Sequence, residues 1–154
     1  METKSRHSLV TGASRGIGRA IALRLARSGH RVSVNFRNHA AEADELVEEI
    51  KQAGGKAIAV GGDVSDGHST QGMIAAAVDA FGPVEILVNN AGIIGDALLL
   101  RMKQDDFDRV LDTNLTGVFR CSKLVISGMV RARWGRIINV TSVVGLRGNA
   151  GQTN

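Results

Sequence analysis

The stretch with the most chemistry to offer is Thr11-Gly12-Ala13-Ser14-Arg15-Gly16-Ile17-Gly18, close to the start of the chain. Glycines at 12, 16 and 18 permit a tight turn and let backbone amides approach a diphosphate. A helix beginning at Gly16 adds positive partial charge at the same point. Placed between a strand and a helix, the pattern predicts dinucleotide binding. No Gly-Lys-Ser/Thr follows, which excludes a Walker-type phosphate loop. The same residues spell Gly12-Ala13-Ser14-Arg15-Gly16, the Gly-x-Ser-x-Gly of a hydrolase nucleophile elbow, with Ser14 as nucleophile. That architecture needs several strands before the elbow, whereas only Met1 to Thr11 precede this one, and nothing marks His68 as a base.

A second informative stretch is Asn35-Phe36-Arg37-Asn38. Sites that take NAD usually place an acid about 20 residues past the glycines, to hold the ribose 2′-hydroxyl. No carboxylate stands there. Arg37 and Arg15 suit a 2′-phosphate instead, because guanidinium binds phosphate through paired hydrogen bonds. The expected cofactor is therefore NADP(H). Asp63-Val64, Asn89-Asn90-Ala91-Gly92 and Asn139-Val140-Thr141-Ser142 follow apolar runs, where an open parallel sheet binds its ligands.

These residues need a scaffold, and the hydropathy pattern supplies one. Apolar runs at His7 to Thr11, Arg31 to Phe36, Lys56 to Val60, Glu85 to Val88 and Arg136 to Val140 read as strands. Helical spacing fills the intervals. Ile17, Ile21 and Leu25 share one face in Gly16 to Ser28, and Ala43, Leu46, Val47 and Ile50 share one in Ala40 to Ala53. Ser69 to Phe81 aligns Ile74, Val78 and Phe81, and Gln104 to Arg133 reads as helical with a break near Thr113-Asn114. The alternation predicts an α/β fold, a doubly wound parallel sheet of five strands with helices on both faces. Residues 1–154 read as a single dinucleotide-binding domain. No helix or strand is expected after the fifth strand, whose apolar edge is left uncovered. The chain thus reads as a domain with its C-terminal part missing.

Composition narrows the function classes. The chain has 154 residues, 44% of them apolar and 22% charged, as in soluble domains. No apolar run approaches the roughly 18 residues of a membrane span. A single cysteine, Cys121, forms no internal disulfide, which suits the cytoplasm. The net charge is +4, but it is spread evenly: residues 1–77 carry 10 basic and 8 acidic groups, residues 78–154 carry 9 and 7. With aromatics at 3%, a nucleic-acid partner is not expected. His7, His30, His39 and His68 lack metal-ligand spacing and read as surface residues, so no metal is expected. Glu42, Asp44, Glu45, Glu48 and Glu49 read as a solvated helix face, and Cys121 as a packing residue. Arg131, Arg133 and Arg136 cluster where cations offset a helix dipole.

Taken together, the chain resembles the short-chain dehydrogenase/reductase family. Thr11 to Gly18 matches that family's cofactor motif, Asn89 to Gly92 its second signature, and Asn114 and Ser142 its catalytic Asn and Ser. Leu98 to Lys103, Gly135 to Asn139 and Ser142 to Gly145 look like the subgroup of bacterial 3-oxoacyl-[acyl-carrier-protein] reductases. Acetoacetyl-CoA reductases share much of this. The resemblance implies that Gly12, Ser14, Arg15, Gly16, Ile17 and Gly18 hold the diphosphate and adenosine side. Asp63 and Val64 would meet the adenine, and Asn90, Ala91 and Gly92 the nicotinamide ribose. Ser142 would bond the substrate carbonyl, and Asn114 would anchor a water in a proton relay. The implied reaction belongs to fatty acid biosynthesis: hydride passes from NADPH to a 3-oxoacyl group, giving a 3-hydroxyacyl product. The Arg131, Arg133 and Arg136 cluster would dock an acidic carrier protein, and the subunits would form a dimer or tetramer.

One departure matters. The family's proton donor is the Tyr of a Tyr-x-x-x-Lys motif, and this chain contains no Tyr. The resemblance places that Tyr directly after Asn154. The chain by itself is therefore expected to bind cofactor without turning over. A non-enzymatic alternative is a nucleotide-binding module, or one half of a split enzyme.

Overall fold

The computed structural model describes residues 4–154. Five parallel strands form one sheet in the order β3-β2-β1-β4-β5. They are β1 His7–Val10, β2 Arg31–Phe36, β3 Lys56–Gly61, β4 Ile86–Asn89 and β5 Arg136–Asn139. The crossovers are α1 Gly16–Arg27, α2 Ala40–Gln52, α3 Gly67–Phe81, and the pair α4 Gln104–Leu111 and α5 Gly117–Ala132. The order reverses at β1, so the chain moves outward to β3 and returns to β4, as in doubly wound sheets.

Two apolar clusters hold the layers. Val10, Val32, Val34 and Val88 pack with Ala22, Leu46 and Ile50 on one face. Leu9, Leu87, Met73, Cys121 and Val125 pack on the other. All four residues of β1 and of β4 are buried, because parallel strands at a sheet's centre are covered on both faces. The stripe Ala43, Leu46, Val47 and Ile50 is buried as its spacing requires.

Four expectations change. Ile17 is 65% exposed although Ile21 and Leu25 pack inward, because the first turn of α1 projects beyond the sheet. The helical stretch is not broken at Thr113-Asn114 but widens into a π turn, Asp112–Thr116, that joins α4 to α5. A short helix, α6 Val144–Arg147, does follow the last strand. His7 is fully buried, its ring between Ser33 Oγ at 2.8 Å and the Gly82 carbonyl at 2.7 Å. Those two partners satisfy its polar atoms, and burial pushes its pKa below the ordinary value. On the outer strand β5, Ile138 and the following Val140 are exposed.

Candidate coenzyme crevice

The loops leaving β1, β2, β3 and β4 meet at the C-terminal edge of the sheet, where β1 diverges from its two neighbours. They enclose a cavity of about 280 Å3. Of the residues expected there, Gly12, Ser14, Arg15, Arg37, Asp63, Val64, Asn90, Ala91 and Gly92 line it. Gly16, Ile17 and Gly18 do not line it; they form the first turn of α1, directly after the lining residue Arg15.

The glycines do three different things. Gly12 has φ +61°, and a Cβ there would stand 2.9 Å from the Ala91 Cα. Gly16 has φ +57° and opens onto free space. At Gly18 a Cβ would lie 2.5 Å from the Gly12 carbonyl oxygen, so this glycine is required for helix-to-strand packing. Arg15 is the N-cap of α1, yet its side chain makes no capping bond and the first turn contains no acid. The first-turn amides therefore lack both an intrahelical acceptor and a neutralising charge.

Three side chains fix the loops. Thr11 Oγ1 accepts from the amides of Asn90 and Ala91, both at 3.0 Å. Asn90 Nδ2 donates back to the carbonyls of Thr11 and Gly12. Asn35, 2% exposed, accepts from the Gly12 amide at 3.1 Å and donates to the carbonyls of Val60 and Gly62. Asn35 belongs to no motif of its own in the stretch Asn35-Phe36-Arg37-Asn38. Its signal was a carboxamide near the end of a strand otherwise rich in valine.

The electrostatics suit an anion. Asp63 is the carboxylate lining the cavity, and it is already engaged. Burial works against its ionisation. Hydrogen bonds from the Ser65 hydroxyl and amide, with the Arg37 guanidinium at 3.5 Å, outweigh that and hold its pKa below the ordinary range. Arg15 and Arg37 are exposed. Open space at Gly16, an unneutralised helix start and two arginines fit a dinucleotide phosphate.

Beyond Ile93, which lines both spaces, lies a second cavity of about 480 Å3. Asn114 and Ser142 both line it, although they are far apart in sequence. The Asn114 carboxamide pairs with the Ile93 backbone in both directions at 2.9 Å. Ser142 Oγ, exposed, accepts from the Val144 amide at 3.2 Å.

Comparison with known proteins decides the family. The pattern of the short chain dehydrogenase family matches residues 6–154. The chain belongs to the short chain dehydrogenase family. It is 51% identical over 150 residues to the 3-oxoacyl-[acyl-carrier-protein] reductase FabG of Staphylococcus epidermidis, covering 97% of this chain and 62% of that protein. The FabG of Staphylococcus aureus strain N315 is 51% identical over 152 residues, covering 99% of this chain and 61% of its own length. The 3-oxoacyl-[acyl-carrier-protein] reductase of Synechocystis is 51% identical over 147 residues, with 96% and 60% covered. The chain thus spans about three fifths of the length of these relatives.

In this short chain dehydrogenase the remaining polar residues sit elsewhere. Arg131 and Arg133 are exposed at the end of α5, and Arg136 opens β5. All three lie at the opposite edge of the sheet from Ser142. The Arg136 guanidinium stands 5.2 Å from the Trp134 ring centroid. Cys121 is fully buried, and burial pushes its thiol up to about 11, which removes it as a nucleophile at neutral pH. Among the described residues no cluster of metal-ligating side chains occurs, and no helix is long and apolar enough to cross a membrane.

Proposed function

We propose that the chain carries the coenzyme site of an NADPH-dependent reductase acting on 3-oxoacyl-[acyl-carrier-protein]. The observation that carries this reading is the pairing of an unneutralised helix start with Arg15 and Arg37 on one cavity whose carboxylate, Asp63, is already engaged. The 51% identity to proteins bearing that name supports this choice of substrate class. When bound, the coenzyme supplies hydride. The protein's part is to hold it and to position a carbonyl. First-turn amides of α1, with Ser14 and Arg15, hold the diphosphate, and Arg37 takes the 2′-phosphate. Asp63 and Val64 flank the adenine, and Asn90, Ala91 and Gly92 the second ribose. Ser142 donates to the substrate oxygen in the adjoining cavity. Asn114 Oδ1, with one lone pair left after Ile93, anchors a water.

Reduction of a ketone leaves negative charge on oxygen, and a positioned acid contributes about 10²–10⁴-fold. None of the 154 residues is a tyrosine, and a serine hydroxyl is a poor acid near neutral pH. This chain alone therefore binds coenzyme and turns over negligibly. Arg131 and Arg133, free on the surface, are the contact for an acidic carrier. The exposed stripe Leu115, Phe119, Ile126 and Val130 on α5 and its preceding turn faces a second subunit.

Calorimetric titration tests the reading. NADPH should bind about tenfold or more tightly than NADH, as one charge-assisted contact implies. Absence of binding by both coenzymes would overturn it.

A further inference from the structure

Arg15 and Arg37 are always charged, so they attract a phosphate at every pH. A third group in the same cavity is not. His39 lines it and forms the N-cap of α2, but its side chain makes no capping bond. Its Nδ1 instead lies 3.0 Å from Glu42 Oε1, one turn into the helix. A carboxylate only accepts, so Nδ1 carries a proton whether the ring is neutral or charged. The atom that changes is Nε2. On the neutral ring it accepts a hydrogen bond; on the imidazolium it donates one and the ring adds a positive charge.

The two states match two different riboses. A 2′-hydroxyl can donate to a neutral Nε2, whereas a 2′-phosphate can only be met by a donor. The charged groups around His39 are Glu42 on α2, Arg15 from the β1–α1 turn, Arg37 at the end of β2 and Asp63 beyond β3. Of these, Glu42 and Asp63 are negative and the two arginines positive. Asp63 is engaged by Arg37 and Ser65. Histidine is the one side-chain type lining this cavity whose ordinary titration falls between pH 5 and 8.

We propose that His39 makes the choice between a phosphorylated and an unphosphorylated adenosine ribose depend on pH, donating from Nε2 to a 2′-phosphate when protonated and accepting from a 2′-hydroxyl when neutral. The proposal rests on the coenzyme reading above and adds to it a proton-linked specificity residue.

Calorimetry with NADPH and NADH from pH 8.5 to 6.5 tests it, on the 154-residue chain and on His39→Gln and Glu42→Gln. NADH serves as the reference for every titration common to both coenzymes. The phosphate itself begins to protonate near pH 6, which weakens its binding on acidification in every variant alike. In the unaltered chain the ratio of NADPH to NADH affinity should rise about fivefold on acidification, a partly exposed charge-assisted contact. In His39→Gln it should stay flat or fall, and in Glu42→Gln the rise should shrink. An equal rise with and without His39 overturns the proposal, as does a flat ratio in the unaltered chain; both leave the coenzyme reading standing. Failure of both coenzymes to bind at any pH sinks both.

Discussion

The two edges of the sheet use the same residue types in opposite ways. At the edge where the strands begin, polar groups are tied to one another. Glu85, 18% exposed at its side chain, accepts from Arg6 Nη1 at 2.7 Å and from the His7 amide at 3.1 Å, and stands 3.7 Å from Arg31. Arg6 stacks 3.3 Å from the centre of the Trp134 ring, and His7 is held by Ser33 and Gly82. At the edge where the strands end, Arg15 and Arg37 are exposed and the opening turn of α1 has no acid. Charge consumed by partners supports the fold; charge left exposed, as on Arg15, or only loosely paired, as on Arg37 with Asp63 at 3.5 Å, is available to a ligand. The position of an arginine on the sheet therefore says more about its role than its type does.

Three changes test that division. The largest effect should come from Glu85→Ala, which leaves Arg6 and Arg31 half-buried without their anion and should cost about 3 kcal/mol of stability in urea unfolding. NADPH affinity, measured where the variant is folded, should change less than twofold. If affinity falls with stability, the edges are coupled and the contrast fails. Next, Arg37→Ala should weaken NADPH binding about tenfold, or about 1.4 kcal/mol, while NADH binding holds. Its partly exposed pairing with Asp63 stabilises little, so the melting temperature should move by no more than about 3 °C.

The smallest effect is a slope. His7 and His30 both have folded pKa values depressed by burial below 6.5. In that range the unfolded chain binds more protons, so stability rises with pH. It should be complete above about pH 6.5 and decline as pH falls toward the folded values. In His7→Leu the slope should flatten without vanishing, since His30 acts in the same direction. An unchanged slope would mean that His7 does not control acid sensitivity.

Much of this arrangement is legible in the sequence. The stripe Ala43, Leu46, Val47 and Ile50 lies on one face because helical spacing puts it there, and that face must be buried. The turn at Gly12 and Gly16 needs positive φ, which glycine alone adopts freely. Ile17 shows where periodicity stops: it tells which residues share a face, not how far that face extends over the sheet. His7 shows where residue type misleads, since a polar side chain on a central strand can be buried if two partners come from elsewhere in the chain.

The sequence by itself determined the strand and helix alternation, the parallel sheet and the phosphate-binding turn, because these follow from local conformational preference and periodicity. Only the tertiary structure decided which polar groups are occupied and which are open. Thr11 with Asn90, Asn35 with Gly12, Arg37 with Asp63, Asn114 with Ile93, and His7 with Ser33 are all partners distant along the chain. A hydrogen bond between such residues exists only once the sheet order has brought their loops together, so no local pattern encodes it.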